Sequence, residues 1–320
     1  MGARVAAGAT RGDTSSMTSQ LREPLYGLLL DVDGPIASPV TRTVAIDSIA
    51  EDLVAMARAG VPVVFNTGRS DAFIAATVMP ALVEAGLDDN APVVAICEKG
   101  ATWFTPMRAH LTHAGDDLHV DDALRVPTGL VEYCRSIAPD FDDTMFFDDT
   151  KKAMVSLEAH PGIDLDVYRE RQHAFEQRVW DYLTEQEIGV AWGEREALNG
   201  SDGLAVRIDP TIISTDIEHV GVGKDVGADK AVELLAARGI VPREWRTLGD
   251  SRSDYAMADR LHERGFVVRH GDVRPADGRR ERDYPVEVAP DPALTNDAAG
   301  AAFLTRWRVD VERDKASTSF

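Results

Sequence analysis

Cysteine is scarce in this chain of 320 residues: Cys97 and Cys134 are the only two. Two thiols make no disulfide framework, and a reducing cytosol is the simplest setting for them. Long apolar runs are missing too. None approaches the roughly 20 residues that span a bilayer, and Met1 to Gln20, rich in Ala, Gly, Ser and Thr, lacks the continuous apolar centre of a secretory signal. Residues 1–22 are expected to be disordered, with foldable sequence beginning near Leu25 and Met17 as an alternative start. Positive charge is also short, since 34 Lys and Arg face 54 Asp and Glu for a formal net charge of −20. Such a balance argues against nucleic-acid and anionic-membrane partners, which need basic surfaces. Any anionic substrate then requires a local cationic site. The eight histidines show no zinc-site spacing, and the chain has no internal repeat.

What is present is a globular composition, 44% hydrophobic and 28% charged, long enough for one large or two modest domains. Apolar strands alternate with amphipathic helices: strand Leu25–Asp31, helix Val44–Ala59, strand Val61–Asn66, helix Asp71–Ala85 and strand Pro92–Cys97. That alternation predicts an α/β fold built on a doubly wound, Rossmann-like parallel sheet. The pattern resumes with helix Asp229–Arg238, strand Arg246–Gly249, helix Asp254–Arg264, strand Phe266–Arg269 and a closing helix Asp297–Arg306. The interval between is too long for one more βαβ unit. Residues 100–220 are therefore expected to form an inserted α/β domain, leaving 23–99 and 221–320 as the core. The insertion has strand candidates at Ala101–Phe104, Ala153–Ala159, Ile188–Trp192 and Gly203–Ile208, and helix candidates at Pro127–Ile137 and Asp166–Glu185.

Four segments carry chemistry. Leu28-Leu29-Leu30-Asp31-Val32-Asp33-Gly34 ends an apolar strand in two carboxylates, at the sheet edge where open α/β folds bind ligands. Acids so close repel unless a cation lies between them or one keeps a proton. This suggests a Mg²⁺ site with one carboxylate as nucleophile and one as proton carrier. Asn66-Thr67-Gly68-Arg69 places a hydroxyl and an unobstructed N–H before a helix, whose N-terminus favours anions; Thr67 reads equally as a helix cap. Gly227-Ala228-Asp229-Lys230 opens an amphipathic helix with a lysine in its first turn, and Lys224 is its rival six residues upstream. A first-turn lysine opposes the helix dipole unless an anion lies near. Finally, Gly249-Asp250-Ser251-Arg252-Ser253-Asp254 follows a strand with two more aspartates.

In this order the four segments resemble the motif signature of the haloacid dehalogenase (HAD) superfamily of phosphohydrolases, over roughly residues 25–98 and 222–300. The long interval resembles the α/β cap that follows the second motif in Cof-type, trehalose-phosphate and sucrose-phosphate phosphatases and in phosphomannomutases. The resemblance implies Asp31 as nucleophile and Asp33 as acid and base. It implies Thr67, Gly68 and Lys230 as phosphate binders, Lys230 being preferred to Lys224 because Asp-Lys-x-x-x-Leu entering a helix matches the family pattern. Mg²⁺ would be held by Asp31, the backbone carbonyl of Asp33 and Asp250, with Asp254, Arg69 and Ser251 in support. Glu98 and Lys99 stand where sugar-phosphate relatives often carry Glu/Ser-Asn-Gly, and Lys152 and Arg207 are further candidates for substrate contact. Lys151, His160 and Asn199 are read first as surface or fold-supporting residues. The expected protein is a cytoplasmic, Mg²⁺-dependent phosphatase acting on a small phosphorylated metabolite, such as a sugar or polyol phosphate. The alternatives are a phosphomutase, suggested by Gly227 to Lys230, and a catalytically silent metabolite-binding protein. Pro35, which lacks an N–H, departs from the family pattern beside Asp33.

Overall fold

The computed structural model describes residues 21–199 and 203–318, so the segment expected to be disordered lies outside the described residues apart from Leu21 and Arg22. The chain first lays down β1 (Gly27–Leu30), β2 (Val63–Asn66), β3 (Val93–Cys97), β4 (Thr102–Phe104) and β5 (His119–Val120). The next six strands are β6 (Met145–Phe147), β7 (Val155–Ala159), β8 (Val190–Trp192), β9 (Arg195–Ala197), β10 (Val206–Pro210) and β11 (Ser214–His219), and they form a sheet of their own. The chain then returns to the first sheet with β12 (Trp245–Gly249), β13 (Val268–Asp272) and β14 (Val286–Val288).

The large sheet runs β14-β13-β12-β1-β2-β3-β4-β5. Pairing is parallel from β14 to β3, and β4 and β5 add an antiparallel edge. Strand alternation divides its side chains between two hydrophobic layers. Leu28, Leu30, Val63 and Phe65 pack toward helices Asp47–Arg58 and Asn296–Thr318. Leu29, Val64, Val94 and Ile96 pack with Ala231 and Leu235 of helix Lys224–Ala237 and with Leu261 of helix Tyr255–Glu263. A sheet covered on both faces is what all-apolar parallel strands require, and the doubly wound expectation holds. Residues 71–84 form one helix, but its middle, Ile74–Val78, is a π-helical turn.

The inserted sheet runs β6-β7-β11-β10-β8-β9. Helices Thr128–Ile137 and Leu165–Glu185 cover one face with Leu130, Phe175 and Val179, against Val155, Leu157 and Ile217. The expected boundary at residue 100 moves, because β4 and β5 hydrogen-bond into the large sheet and place residues 102–120 with the core. Strands β5, β6, β9, β11 and β14 go beyond the sequence expectation, and helix Lys224–Ala237 begins five residues before the expected Asp229. Among the described residues no helix is long and apolar enough to cross a membrane.

Candidate active site

β1 lies between β12 and β2, where the order of the sheet reverses, and such a switch point opens a crevice at the carboxyl ends of the strands. Asp31 continues β1 by donating its N–H to Leu248 O at 2.9 Å. The next loop closes through N–H groups on either side of Pro35: Gly34 to Ala37 O at 2.9 Å, and Ile36 and Ala37 to Val32 O at 3.2 and 2.8 Å. Gly34 turns with φ +98°, and a Cβ there would lie 2.7 Å from the Asp250 carboxyl carbon. The loop after Asp31 therefore closes directly onto Asp250, just past β12.

Lys224 fills the centre of this crevice. Its Nζ donates to Asp31 Oδ1 and to Asn66 O at 2.6 Å, and pairs with Asp254 Oδ1 at 3.0 Å. Lys230 is elsewhere, over the Trp103 ring at 4.4 Å and paired with Glu233 at 3.2 Å. The expectation that Lys230 stands at this site is thus corrected: Lys224, not Lys230, meets Asp31 and Asp254. The physical reason is the helix start: from Lys224, the first turn carries Lys224 to the strand ends, and Lys230 emerges toward the sheet edge. The dipole argument applies to Lys224, whose anions are Asp31 and Asp254. Asn66, absent from the sequence expectation, clamps the arrangement by donating Nδ2 to Lys224 O at 2.8 Å. Gly227 permits that approach, since a Cβ would meet Asn66 Oδ1 at 2.0 Å.

Asp31, Asp250 and Asp254 each offer an oxygen within 4.8 Å of the others. Asp254 is fixed by Ser251, whose N–H and Oγ donate to Oδ2 at 3.0 and 2.8 Å, and by Asp250 N–H at 3.1 Å. Burial pushes the Asp31 carboxyl well up, and Asp254 adds to this while Lys224 opposes it. Burial and Asp254 together bring Asp250 up to about 6. Burial also works against ionised Asp254, but Lys224 and the Ser251 hydrogen bonds outweigh it and hold that carboxyl below its ordinary range. Arg274 reaches Asp250 at 3.5 Å. The crowding is what a bound cation would relieve, and an all-carboxylate donor set suits a hard ion such as Mg²⁺.

Asp33 stands apart from this trio. Arg69 grips its carboxylate with Nε at 3.0 Å and Nη2 at 3.1 Å, and extends Nη1 to Glu158 of the inserted sheet at 2.9 Å. Thr67 is buried and accepts the Arg69 N–H at 3.0 Å, while Ser70, not Thr67, caps the helix that follows. Gly68 O receives Lys151 at 2.6 Å.

The four residues considered for substrate contact divide sharply. Glu98 is buried and accepts the N–H groups of Lys152, Ala153 and Met154 at 2.8–3.2 Å, joining core to insertion. Lys99 enters the inserted sheet and meets Asp209, Asp216 and Glu218 at 2.9, 3.3 and 2.7 Å. Both adopt left-handed backbone, φ +47° and +55°. Arg207 is used by Glu218 at 2.7 Å and Val222 O at 2.9 Å, and the Lys152 side chain is exposed. His160 bonds Asp142 O at 2.9 Å, and Asn199 bridges Gly203. Apart from the exposed Lys152 side chain, these are fold-supporting roles.

No protein-family model and no curated protein matches the chain. Solved structures do. A haloacid dehalogenase-like hydrolase from Bacteroides thetaiotaomicron is 12% identical with a TM-score of 0.55, over 88% of this chain and 99% of that one. Thermoplasma acidophilum 0175 is 14% identical with a TM-score of 0.50, over 90% and 99%. A third, solved to describe a trigonal-bipyramidal intermediate in a phosphoryl-transfer superfamily, is 15% identical with a TM-score of 0.50, over 88% and 98%. At such identities the likeness is one of fold. The chain has the haloacid dehalogenase-like fold, a Rossmann-like core carrying an inserted α/β cap.

Proposed function

We propose that the protein is a Mg²⁺-dependent phosphatase that hydrolyses a small phosphomonoester, a sugar or polyol phosphate, through an aspartyl-phosphate at Asp31. The observation that carries this reading is the buried junction of Asp31, Lys224 and Asp254 at the sheet's switch point, with Asp250 beside it. An Asp31 oxygen bonds to phosphorus as the ester P–O bond breaks, and Asp33 gives its proton to the leaving oxygen. Water then attacks the phosphorus, passing a proton to Asp33, and phosphate leaves with Asp31 restored. Lys224 neutralises charge on the transferred oxygens. Mg²⁺, held by Asp31 and Asp250 with Asp254 behind them, would supply further charge neutralisation.

The phosphomutase alternative rested on Gly227 to Lys230 as the phosphate-contacting segment, and Lys230 lies at the sheet edge instead. Phosphate release from a panel of phosphomonoesters, with and without EDTA, tests the proposal. It predicts release that EDTA silences and Mg²⁺ restores; full activity in metal-free buffer contradicts it.

A further inference from the structure

Strand pairing assembles a polar wall on the cap face that lacks helices. Ser156 and Glu158 alternate along β7 with the core residues Val155, Leu157 and Ala159. Register places Ser156 opposite Asp216 and Glu158 opposite Ser214 on β11. This wall and the β10–β11 turn border a cavity of about 190 Å³ that starts at Asp33, Gly68, Arg69 and Lys151, with the proposed acid Asp33 at its mouth. That volume is room for on the order of six waters, the size of a sugar or short polyol. Its far side is lined by Ser156, Thr211, Ser214, Glu158 and Asp216, with Ile213 as the apolar member.

The wall's charges are already matched. Glu158 is held by Arg69 at 2.9 Å and Arg42 at 3.6 Å. Asp216 accepts from Ser156 at 2.8 Å and pairs with Lys99 at 3.3 Å, while Lys151 and Lys99 keep its carboxyl ionised despite burial. A ligand ammonium would compete with cations of the chain. A second ligand anion would find Arg69 committed to Asp33 and Glu158 and Lys151 to Gly68 O, with the carboxylates of Glu158 and Asp216 beyond them. Hydroxyl groups are different, because carboxylate oxygens keep spare lone pairs for O–H donors.

Resting on the phosphatase reading, we propose that Asp216 and Glu158 are its specificity-determining residues, accepting hydrogen bonds from an uncharged, polyhydroxylated leaving group and rejecting substrates with a second anionic group.

The test compares kcat/KM of the wild type and Asp216→Asn on glucose 6-phosphate, sorbitol 6-phosphate and ribose 5-phosphate against 6-phosphogluconate and glucose 1,6-bisphosphate, with p-nitrophenyl phosphate as reference. The best neutral sugar ester should exceed both doubly anionic esters by at least about tenfold, and Asp216→Asn should shrink that ratio about tenfold. An anionic ester equal or superior in the wild type overturns the proposal, as does an unchanged ratio in the folded variant. If the variant fails to fold, the wild-type ratio decides. Turnover of p-nitrophenyl phosphate without the sugar preference removes this inference and leaves the phosphatase reading standing. No phosphate release from any of the six esters defeats both.

Discussion

On β1, Leu28 and Leu30 enter one hydrophobic layer and Leu29 the other, so the large sheet has no free face. On β7, Val155, Leu157 and Ala159 enter a hydrophobic layer while Ser156 and Glu158 look away from it. Both strands obey the same two-residue alternation, yet the consequence for function differs. A sheet buried on both sides can present reactive groups only at its strand ends, and there Asp31, Asn66 and Asp254 meet Lys224, with Asp250 beside them. A sheet buried on one side offers a whole surface, and the cap spreads its polar residues over two strands and a turn. On this account the core performs chemistry and the cap performs selection, and each can be disturbed separately.

The largest effect should come from Asp31→Asn, which removes the proposed attacking oxygen. Turnover should fall by about 10⁴-fold or more with the fold intact by circular dichroism, since losing a nucleophile costs on that order. Next, Lys224→Ala should lower kcat/KM by about 10²–10³, or ~2.7–4 kcal/mol, the usual loss for one preorganised charge contact. Lys230→Ala should stay within about twofold, because its exposed pair with Glu233 has little to lose. Steady-state kinetics on the two variants checks this contrast, and the reverse order would break the geometric assignment.

Lys99→Ala strikes the seam between the two regions. Asp216 and Glu218 would lose their shared cation inside the protein, and breaking a buried pair from one side costs about 3–5 kcal/mol. Denaturant unfolding should therefore show a loss at or somewhat below that range, given the partial exposure of Lys99.

The smaller of the two predicted stability changes has the opposite sign. Asp250, at about 6 in the folded protein, is protonated more readily there than in the unfolded chain, so its contribution disfavours folding as pH rises through 4 to 6. Without metal, Asp250→Asn should match the wild type near pH 4 and exceed it by about 2–3 kcal/mol at pH 7. Saturating Mg²⁺ should remove that advantage. Thermal unfolding at the two pH values, with EDTA and with Mg²⁺, reads the difference.

The alternation of apolar runs with helical stretches made the core sheet legible, because parallel strands buried on both faces leave a continuous hydrophobic record. The strand-end aspartates were legible for the same reason, since charge at the end of such a run needs a purpose. Lys224 was misjudged because Asp229-Lys230-x-x-x-Leu matches the family pattern at an expected helix start, whereas the helix begins at Lys224 and Gly227 lies inside it, letting Asn66 approach. The partners of Lys99 come from positions 209, 216 and 218, more than a hundred residues away, and no local pattern announces such a pairing. β4 and β5 were assigned to the cap because nothing in a short strand says which sheet edge it will join.

Reductive trapping of the acyl phosphate tests the central claim most directly. The enzyme is mixed with an excess of a hydrolysed phosphomonoester, quenched in acid within milliseconds and treated with borohydride, which converts an aspartyl phosphate to homoserine. Peptide mass spectrometry should find homoserine at position 31 and unmodified aspartate at positions 33, 250 and 254. Homoserine at another aspartate, or none at position 31 while phosphate is being released, would contradict the account.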